Sequence, residues 1–402
     1  MKHRVVITGL GTISGLGLNK QDFWNELIAG HPAIKPIPAI ENVHISIGAM
    51  VEEFDDSLYF EKSDLPLLDR HSKFAVIAAR EAVADAGLSV EDDALQRAAV
   101  LVGTGCGGKH TDEETYDQLY KQQRKRAHPL TIPKGMPSAS ASMVSKHLGS
   151  RGPAFVISSA CASGAHAIIQ AYSMIRSGIA DVVITGAADA PFTYGLLKSW
   201  ESLKITSSDT CRPFSKDRSG IVLGEGAGML VLESEAHALA READIYAEIA
   251  GVGMSSDAGH ITRPDIDGIK TAIRNALDDA GIEPGDVDYI NAHGTATMLN
   301  DVSETQAIRQ VFGVDADSLA VSSTKSMHGH ALGASSALEL VATALAVKNG
   351  VIPPTANFTE ADENCDLDYV PNHSIRKNIK VALSNSFAFG GLNAVIALKR
   401  YP

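Results

Sequence analysis

Ten short apolar runs punctuate the chain: RVVIT from Arg4, AAVLVG from Ala98, AFVIS from Ala154, DVVITG from Asp181 and AGMLVLE from Ala227 are followed by YAEIAGVG from Tyr246, YINAHG from Tyr289, LAVSS from Leu319, VALSNS from Val381 and NAVIALK from Asn393. Each is the length of a strand and carries at least one β-branched residue, and amphipathic stretches of helical period lie between many of them. Strands alternating with helices predict an α/β fold. Two stretches echo each other. SSACASGAHAIIQAYSMIRSGIADVVITG, from Ser158, and SSTKSMHGHALGASSALELVATALAVKNGVIPP, from Ser322, each run strand, tight small-residue turn, long helix. This points to an internal duplication, with a first half over residues 1–250 and a second over 251–402. No low-complexity linker separates them, so one compact unit is expected, its catalytic turns facing a shared cleft. The Pro-containing segment near 109–138 reads as an insertion in the first half.

With 402 residues, 45% hydrophobic and 21% charged, the chain can bury a large core without disulfides. Its formal charge of −13 argues against general binding to nucleic acid or membrane surfaces, which needs a positive field. Cys106, Cys161, Cys211 and Cys365 are scattered, with none of the close pairs of zinc or redox motifs, which points to a reducing cytoplasm. The start, MKHRVVITGLGTISGLGL, imitates a signal peptide. Glycines and Thr8 interrupt it and no small-residue cleavage site follows, so a first strand and turn are expected. No apolar run has the length of a membrane span.

Two glycine-rich segments invite a nucleotide-binding reading. Gly103 to Lys109, GTGCGGK, follows a strand with P-loop spacing, but His110 stands where a magnesium-holding Ser or Thr belongs. Gly9, Gly11 and Gly15 depart from the dinucleotide spacing, and no suitably placed acidic residue follows a second strand. Tight turns are expected at both.

The chemistry lies elsewhere. The strand at Ala154 to Ile157 delivers Cys161 to a small-residue turn, Ala162–Ser163–Gly164, immediately before a long helix. A lone cysteine is more often a small core residue. Here the turn would expose the sulfur, and the helix start would favour its thiolate and offer amides to an oxyanion. His293 ends the run YINAHG beside Gly294, and SSTKSMHGH carries Lys325, His328 and His330 ahead of a helix bearing Glu339. Singly, each histidine is more often structural. Several imidazoles could hold a metal, but no carboxylate or cysteine ligand accompanies them at recognisable spacing, so no metal is expected.

Taken together, ACASG around Cys161, NAHGTAT around His293, SSTKSMHGH around Lys325 and His330, and NSFAFGGLN near the end resemble the β-ketoacyl synthase family, within it the acyl-carrier-protein synthase II group. The match runs from VVITGLG to the terminus. GLLKSWESL and DTCRPFS are similar to synthases of specialised pathways, nodulation-type or polyene. The resemblance implies a thiolase-like fold of two pseudo-duplicated halves in α/β/α/β/α layers. It also implies an acyltransferase performing a decarboxylative Claisen condensation.

On that resemblance Cys161 accepts the acyl group from a carrier-protein phosphopantetheine thioester, and no cofactor is expected on the chain itself. His293 and His330 stabilise the enolate formed as a malonyl thioester loses carbon dioxide. Lys325 and Glu339 orient His330 and balance charge. The amides of Cys161 and Phe389 form the oxyanion hole, and Thr295 and Thr297 bind the pantetheine arm. Phe389, with Phe387, Gly390 and Gly391, forms a gate. Ala388 and Leu392 replace the usual glycine and threonine there. Cys106 and Trp200 are expected to line the acyl pocket in place of a branched aliphatic and a phenylalanine. For the acidic carrier protein, Arg124, Lys125 and Arg126 and the separate Lys204 are expected docking positions. Ser63 to Asp69, SDLPLLD, lacks the basic residues some relatives carry. A homodimer is implied, or a heterodimer with a chain-length-factor-like subunit in which this chain is the active member. Two rivals remain at this point. A degradative thiolase would carry a second cysteine near the carboxyl terminus, and NSFAFGG has none; a non-catalytic acyl-binding partner would leave Cys161 unreactive.

Overall fold

The computed structural model describes residues 3–52 and 54–402. The ten apolar runs become the ten strands of one sheet: β1 (Val5–Ser14), β2 (Ala99–Gly103), β3 (Ala154–Ile157), β4 (Val182–Asp189), β5 (Gly226–Ser234), β6 (Ala247–Ser256), β7 (Tyr289–Asn291), β8 (Ala320–Ser322), β9 (Val381–Ala388) and β10 (Leu392–Lys399). Their order is β8-β7-β9-β10-β6-β1-β5-β4-β2-β3. Outward from the middle, β1-β5-β4 pair antiparallel, then β4-β2-β3 parallel. On the other side β6-β10-β9 pair antiparallel, then β9-β7-β8 parallel. The same pattern appears twice, and the two sets of strands pair where Val5–Ile7 meets Ala247–Ile249.

The repeat assigns β6 the place that β1 holds in the first half. The division expected at residue 250 therefore falls inside a strand, and the second set begins with Ala247 rather than after it. Strands covered on both faces need no polar alternation, and β1, β4, β5 and β9 are buried along their whole length.

Helices cover this sheet. Helix α1 (Arg70–Asp85) packs on β1, β5 and β4, with α2 (Ala139–Leu148) against it. Helix α3 (Ser163–Arg176) follows β3, α4 (Tyr194–Leu203) follows β4, α5 (Ile266–Ala280) packs on β6 and β10, and α6 (Met298–Phe312) packs on α5. Helix α7 (Gly333–Asn349) follows β8, touches α3, and meets strands of both halves, β4 and β5 on one side and β9 and β10 on the other. From Gly333 to Val347 every residue of α7 is buried, as its all-round apolar sequence requires of a central helix. Its start crosses that of α3 so closely that a Cβ on Gly164 would lie 2.7 Å from Ser336 Oγ and 2.9 Å from Ala187 Cβ.

The glycine-rich segments are structural. Gly9 and Gly11 face the backbone of α1 at Ala82 and Ala78. After β2, the amides of Gly105 and Cys106 and the Thr104 hydroxyl all donate to the buried carboxylate of Asp189. An internal anion thus occupies the amides a phosphate would need. Among the described residues no helix is long and apolar enough to cross a membrane, and all four cysteines are free thiols.

Candidate active site

Cys161, His293 and His330 line one cavity of about 310 Å³, together with Trp200, Lys204, Thr295, Thr297, Phe387, Phe389 and Gly391. The residues come from strand ends of both halves, so the duplication itself builds the site.

Cys161 sits two residues before α3, after Ala160 at φ 50°, a left-handed conformation costly for alanine. The Ser163 hydroxyl fixes this turn, accepting from the Ser159 amide at 2.9 Å and donating to the Ala160 carbonyl at 2.6 Å. Cys161 is 7% exposed and lines the cavity. Burial pushes its thiol up to about 11, against the pull of Lys325 and of the Phe389 amide, which donates to it. The expectation that the helix start would leave Cys161 a ready thiolate is thereby corrected, because desolvation is the larger effect. Alkylation of Cys161 by iodoacetamide should therefore quicken about tenfold per pH unit from about pH 8 to 10. A rate that levels off between about pH 9 and 10, as an ordinary thiol's does, would contradict this.

The two histidines are held as neutral donors. His330 Nδ1 accepts the Leu332 amide at 3.1 Å and lies 3.1 Å from Ser335 Oγ. His293 Nδ1 faces the Lys325 ammonium at 3.3 Å. An Nδ1 that accepts must be bare, so in both rings the proton is on Nε2. Burial first, and Lys325 second, hold both imidazoles well below the usual histidine range. The rings meet edge to face, 5.8 Å apart at 89°.

Lys325 lies behind the cavity, fully buried, and uses all three donors: His293 Nδ1, the His293 carbonyl at 2.6 Å, and Glu339. It therefore orients His293 directly, whereas the sequence assigned it to His330. Burial raises the Glu339 carboxyl against the opposing pull of Lys325. His328 takes no part; its Nε2 is 3.0 Å from Thr324 Oγ1 and its ring packs near Phe23.

The hairpin turn Phe389–Gly390–Gly391 joins β9 to β10, with both glycines left-handed at φ 85° and 69°. The Gly390 amide donates to the Ile261 carbonyl at 2.7 Å, and the Gly391 carbonyl accepts from Asp257 at 2.9 Å. The Phe389 ring stacks on Trp200, 6.1 Å apart at 26°. Ala388, a cavity wall, pairs across the hairpin with Leu392. Thr295 and Thr297 share a hydroxyl contact of 2.9 Å, and Thr297 also caps α6.

Cys106 does not line the cavity; it packs in the apolar cluster of Phe192, Leu197, Ile221 and Leu332 beside Trp200. Arg124 and Arg126 border a different hollow with Pro66 and Lys134, sharing no lining residue with the catalytic cavity, and Lys125 is exposed. Of the expected docking cations only Lys204 reaches the site. Sequence reasoning missed Glu304, whose buried carboxylate accepts the His293 and Gly294 amides at 2.9 and 2.8 Å and Asn385 at 3.2 Å. The available signal was Asp301 and Glu304, two acids three apart on one face of α6.

Residues 2–238 match the β-ketoacyl synthase N-terminal domain and residues 246–359 the C-terminal domain of the same family. The chain belongs to the β-ketoacyl synthase family. Nodulation protein E of Rhizobium leguminosarum bv. trifolii is 50% identical over 402 residues, all of both chains. The 3-oxoacyl-[acyl-carrier-protein] synthase 2 of Staphylococcus aureus (strain N315) is 40% identical over 99% of this chain and 98% of its own. Among solved structures, the ishigamide ketosynthase/chain length factor superposes with a TM-score of 0.96 at 37% identity, covering both chains completely. These similarities establish the thiolase-like fold and place the chain among the condensing acyltransferases of the family.

Proposed function

We propose that the chain joins an acyl group, carried on Cys161, to a carbanion derived from malonyl-acyl-carrier-protein, giving 3-oxoacyl-acyl-carrier-protein for fatty acid or related polyketide synthesis. The observation that carries this reading is the meeting of one thiol and two neutral Nε2–H imidazoles on a single cavity.

Cys161 sulfur attacks the thioester carbonyl of the incoming acyl group; its proton leaves with the departing carrier thiol. The Cys161 and Phe389 amides hold the oxyanion, and Phe389 already donates to the sulfur. Malonyl thioester then takes the emptied place, and His293 and His330 donate to its carbonyl oxygen. As carbon dioxide departs, negative charge on that oxygen is met by two donors that are neutral and fixed. The carbanion attacks the acyl carbonyl and the Cys161 thiolate leaves. The chain needs no cofactor of its own for these steps, since both substrates arrive on phosphopantetheine.

We place the protein in the cytoplasm, where four free thiols are stable. We also assign it to a dimer, either homodimeric or with a chain-length-factor-like subunit. The open edge strand β3, with Phe155 39% exposed, supports an interface there. The function is tested by supplying acyl- and malonyl-carrier protein together. One carbon dioxide released per 3-oxoacyl product is expected; hydrolysis of the acyl group without a longer product would contradict the reading.

A further inference from the structure

A buried cation that the catalytic steps leave unused lies beside the turn from Thr295 to Thr297. Arg218, between α4 and β5, adjoins Ser219 and Gly220 of the cavity wall, and its side chain is fully buried. The guanidinium reaches three segments of the chain. Nη1 donates to the Ser215 carbonyl at 2.9 Å and to Asp362 at 2.6 Å, Nε to the Thr297 carbonyl at 3.3 Å, and Nη2 to the Met298 carbonyl at 3.4 Å. Asp301, in the first turn of α6, stands 3.6 Å from Nε and completes the grip. Its carboxylate accepts the Thr295 amide at 3.1 Å, the Asn300 side chain at 3.2 Å and the Phe214 amide at 2.8 Å. The backbone is thus tied on both sides of the threonine pair, by the Thr295 amide and by the Thr297 carbonyl.

The turn does not hold this shape by itself. Ala296, between the threonines, is left-handed at φ 62°, and so is Phe214 at φ 65°. Alanine and phenylalanine both resist that region, so packing and hydrogen bonds have to impose it. Phe214 stacks on Tyr369, 4.1 Å apart at 10°, and lies so close to Gly294 that a Cβ there would stand 2.8 Å from its ring. A guanidinium out of water is itself costly and is kept only with its charge matched, here by Asp301 and Asp362. We propose that Arg218 is a positioning residue for substrate. Through its bonds to the Thr297 and Met298 carbonyls, and through Asp301, it holds the Thr295 and Thr297 hydroxyls where the arm of an incoming thioester lies. Acyl and malonyl thioesters pass the same wall in turn, so Arg218 serves both half-reactions, unlike His293 and His330. A lysine keeps the charge but has no planar fork to span three segments.

The inference rests on the condensing-enzyme reading, in which the two threonines bind the pantetheine arm, and its test separates the two. Steady-state kinetics are taken with acyl- and malonyl-pantetheine, which carry the arm without a carrier protein, and with the matching N-acetylcysteamine thioesters, which lack most of it. Arg218→Lys should raise KM for both pantetheine thioesters about 3–10-fold, the worth of about one hydrogen bond, and leave kcat within about twofold. The N-acetylcysteamine thioesters should be affected less. Asp362→Asn loosens the guanidinium from its outer end at nearly constant volume, and should act in the same sense even where Arg218→Lys fails to fold. In a chain carrying Thr295→Val and Thr297→Val, Arg218→Lys should raise KM no further, because the residues act as one unit. Unchanged KM in the folded variants, equal losses for both kinds of thioester, or full additivity with the threonine changes overturns the positioning role. No effect of the threonine changes themselves refutes the assignment of the arm to them, and the proposal with it. Failure of the unsubstituted chain to be acylated by either thioester refutes the condensing-enzyme reading itself.

Discussion

Replacing either His293 or His330 with alanine should slow condensation by about 10²–10³-fold, the usual effect of removing one preorganised oxyanion donor. Formation of acyl-Cys161 should change far less, because the oxyanion of that step lies against backbone amides. The asymmetry follows from the hydrogen bonds. Leu332 fixes the His330 tautomer and Lys325 that of His293, so each ring offers one Nε2–H and no charge. A variant that keeps a side-chain N–H, such as His293→Asn, should retain more activity than His293→Ala. Equal losses in acylation and condensation would mean that the histidines serve the thiol and not the decarboxylation.

The Lys325–Glu339 pair should give the largest change in stability. Both side chains are essentially without solvent, and the ammonium has no donor to spare. Removing one partner leaves the other charge buried and unmatched, which costs about 3–5 kcal/mol. Lys325→Met and Glu339→Leu should each lower the midpoint of chemical denaturation markedly. Combined, they should recover most of the stability, since an apolar pair of similar volume is often neutral there. Condensation should stay low in the double variant, because His293 Nδ1 loses the donor that sets its tautomer. Recovery of both stability and activity would assign the pair a purely structural part.

The strands were legible because all ten are apolar runs of strand length, and the turns carrying Cys161 and the histidines were legible because short motifs hold each one. Their pairing was not written in any single run. Tyr246 to Gly253 reads equally as the last strand of one half or the first of the next, and only its partners β1 and β10 decide. The same limit governed the electrostatics. The sequence places Cys161 at a helix start, but depth of burial belongs to the assembled site, and it reversed the expected direction of the thiol pKa. Arg124–Arg126 is conspicuous as a run yet borders another hollow, whereas Lys204, isolated in sequence, reaches the catalytic cavity through the fold. Glu304 supports the His293 turn from eleven residues away, across the α6 start.

The central claim, a covalent acyl group on Cys161 that malonyl thioester then consumes, is tested most directly by intact mass. The protein is incubated with acyl-carrier protein, weighed, given malonyl-carrier protein and weighed again, beside Cys161→Ala. The account predicts one acyl mass on the unsubstituted chain, none on the variant, and its loss on malonyl addition as 3-oxoacyl-carrier protein appears. Acylation that persists in Cys161→Ala, or an acyl group that malonyl-carrier protein leaves in place, would contradict it.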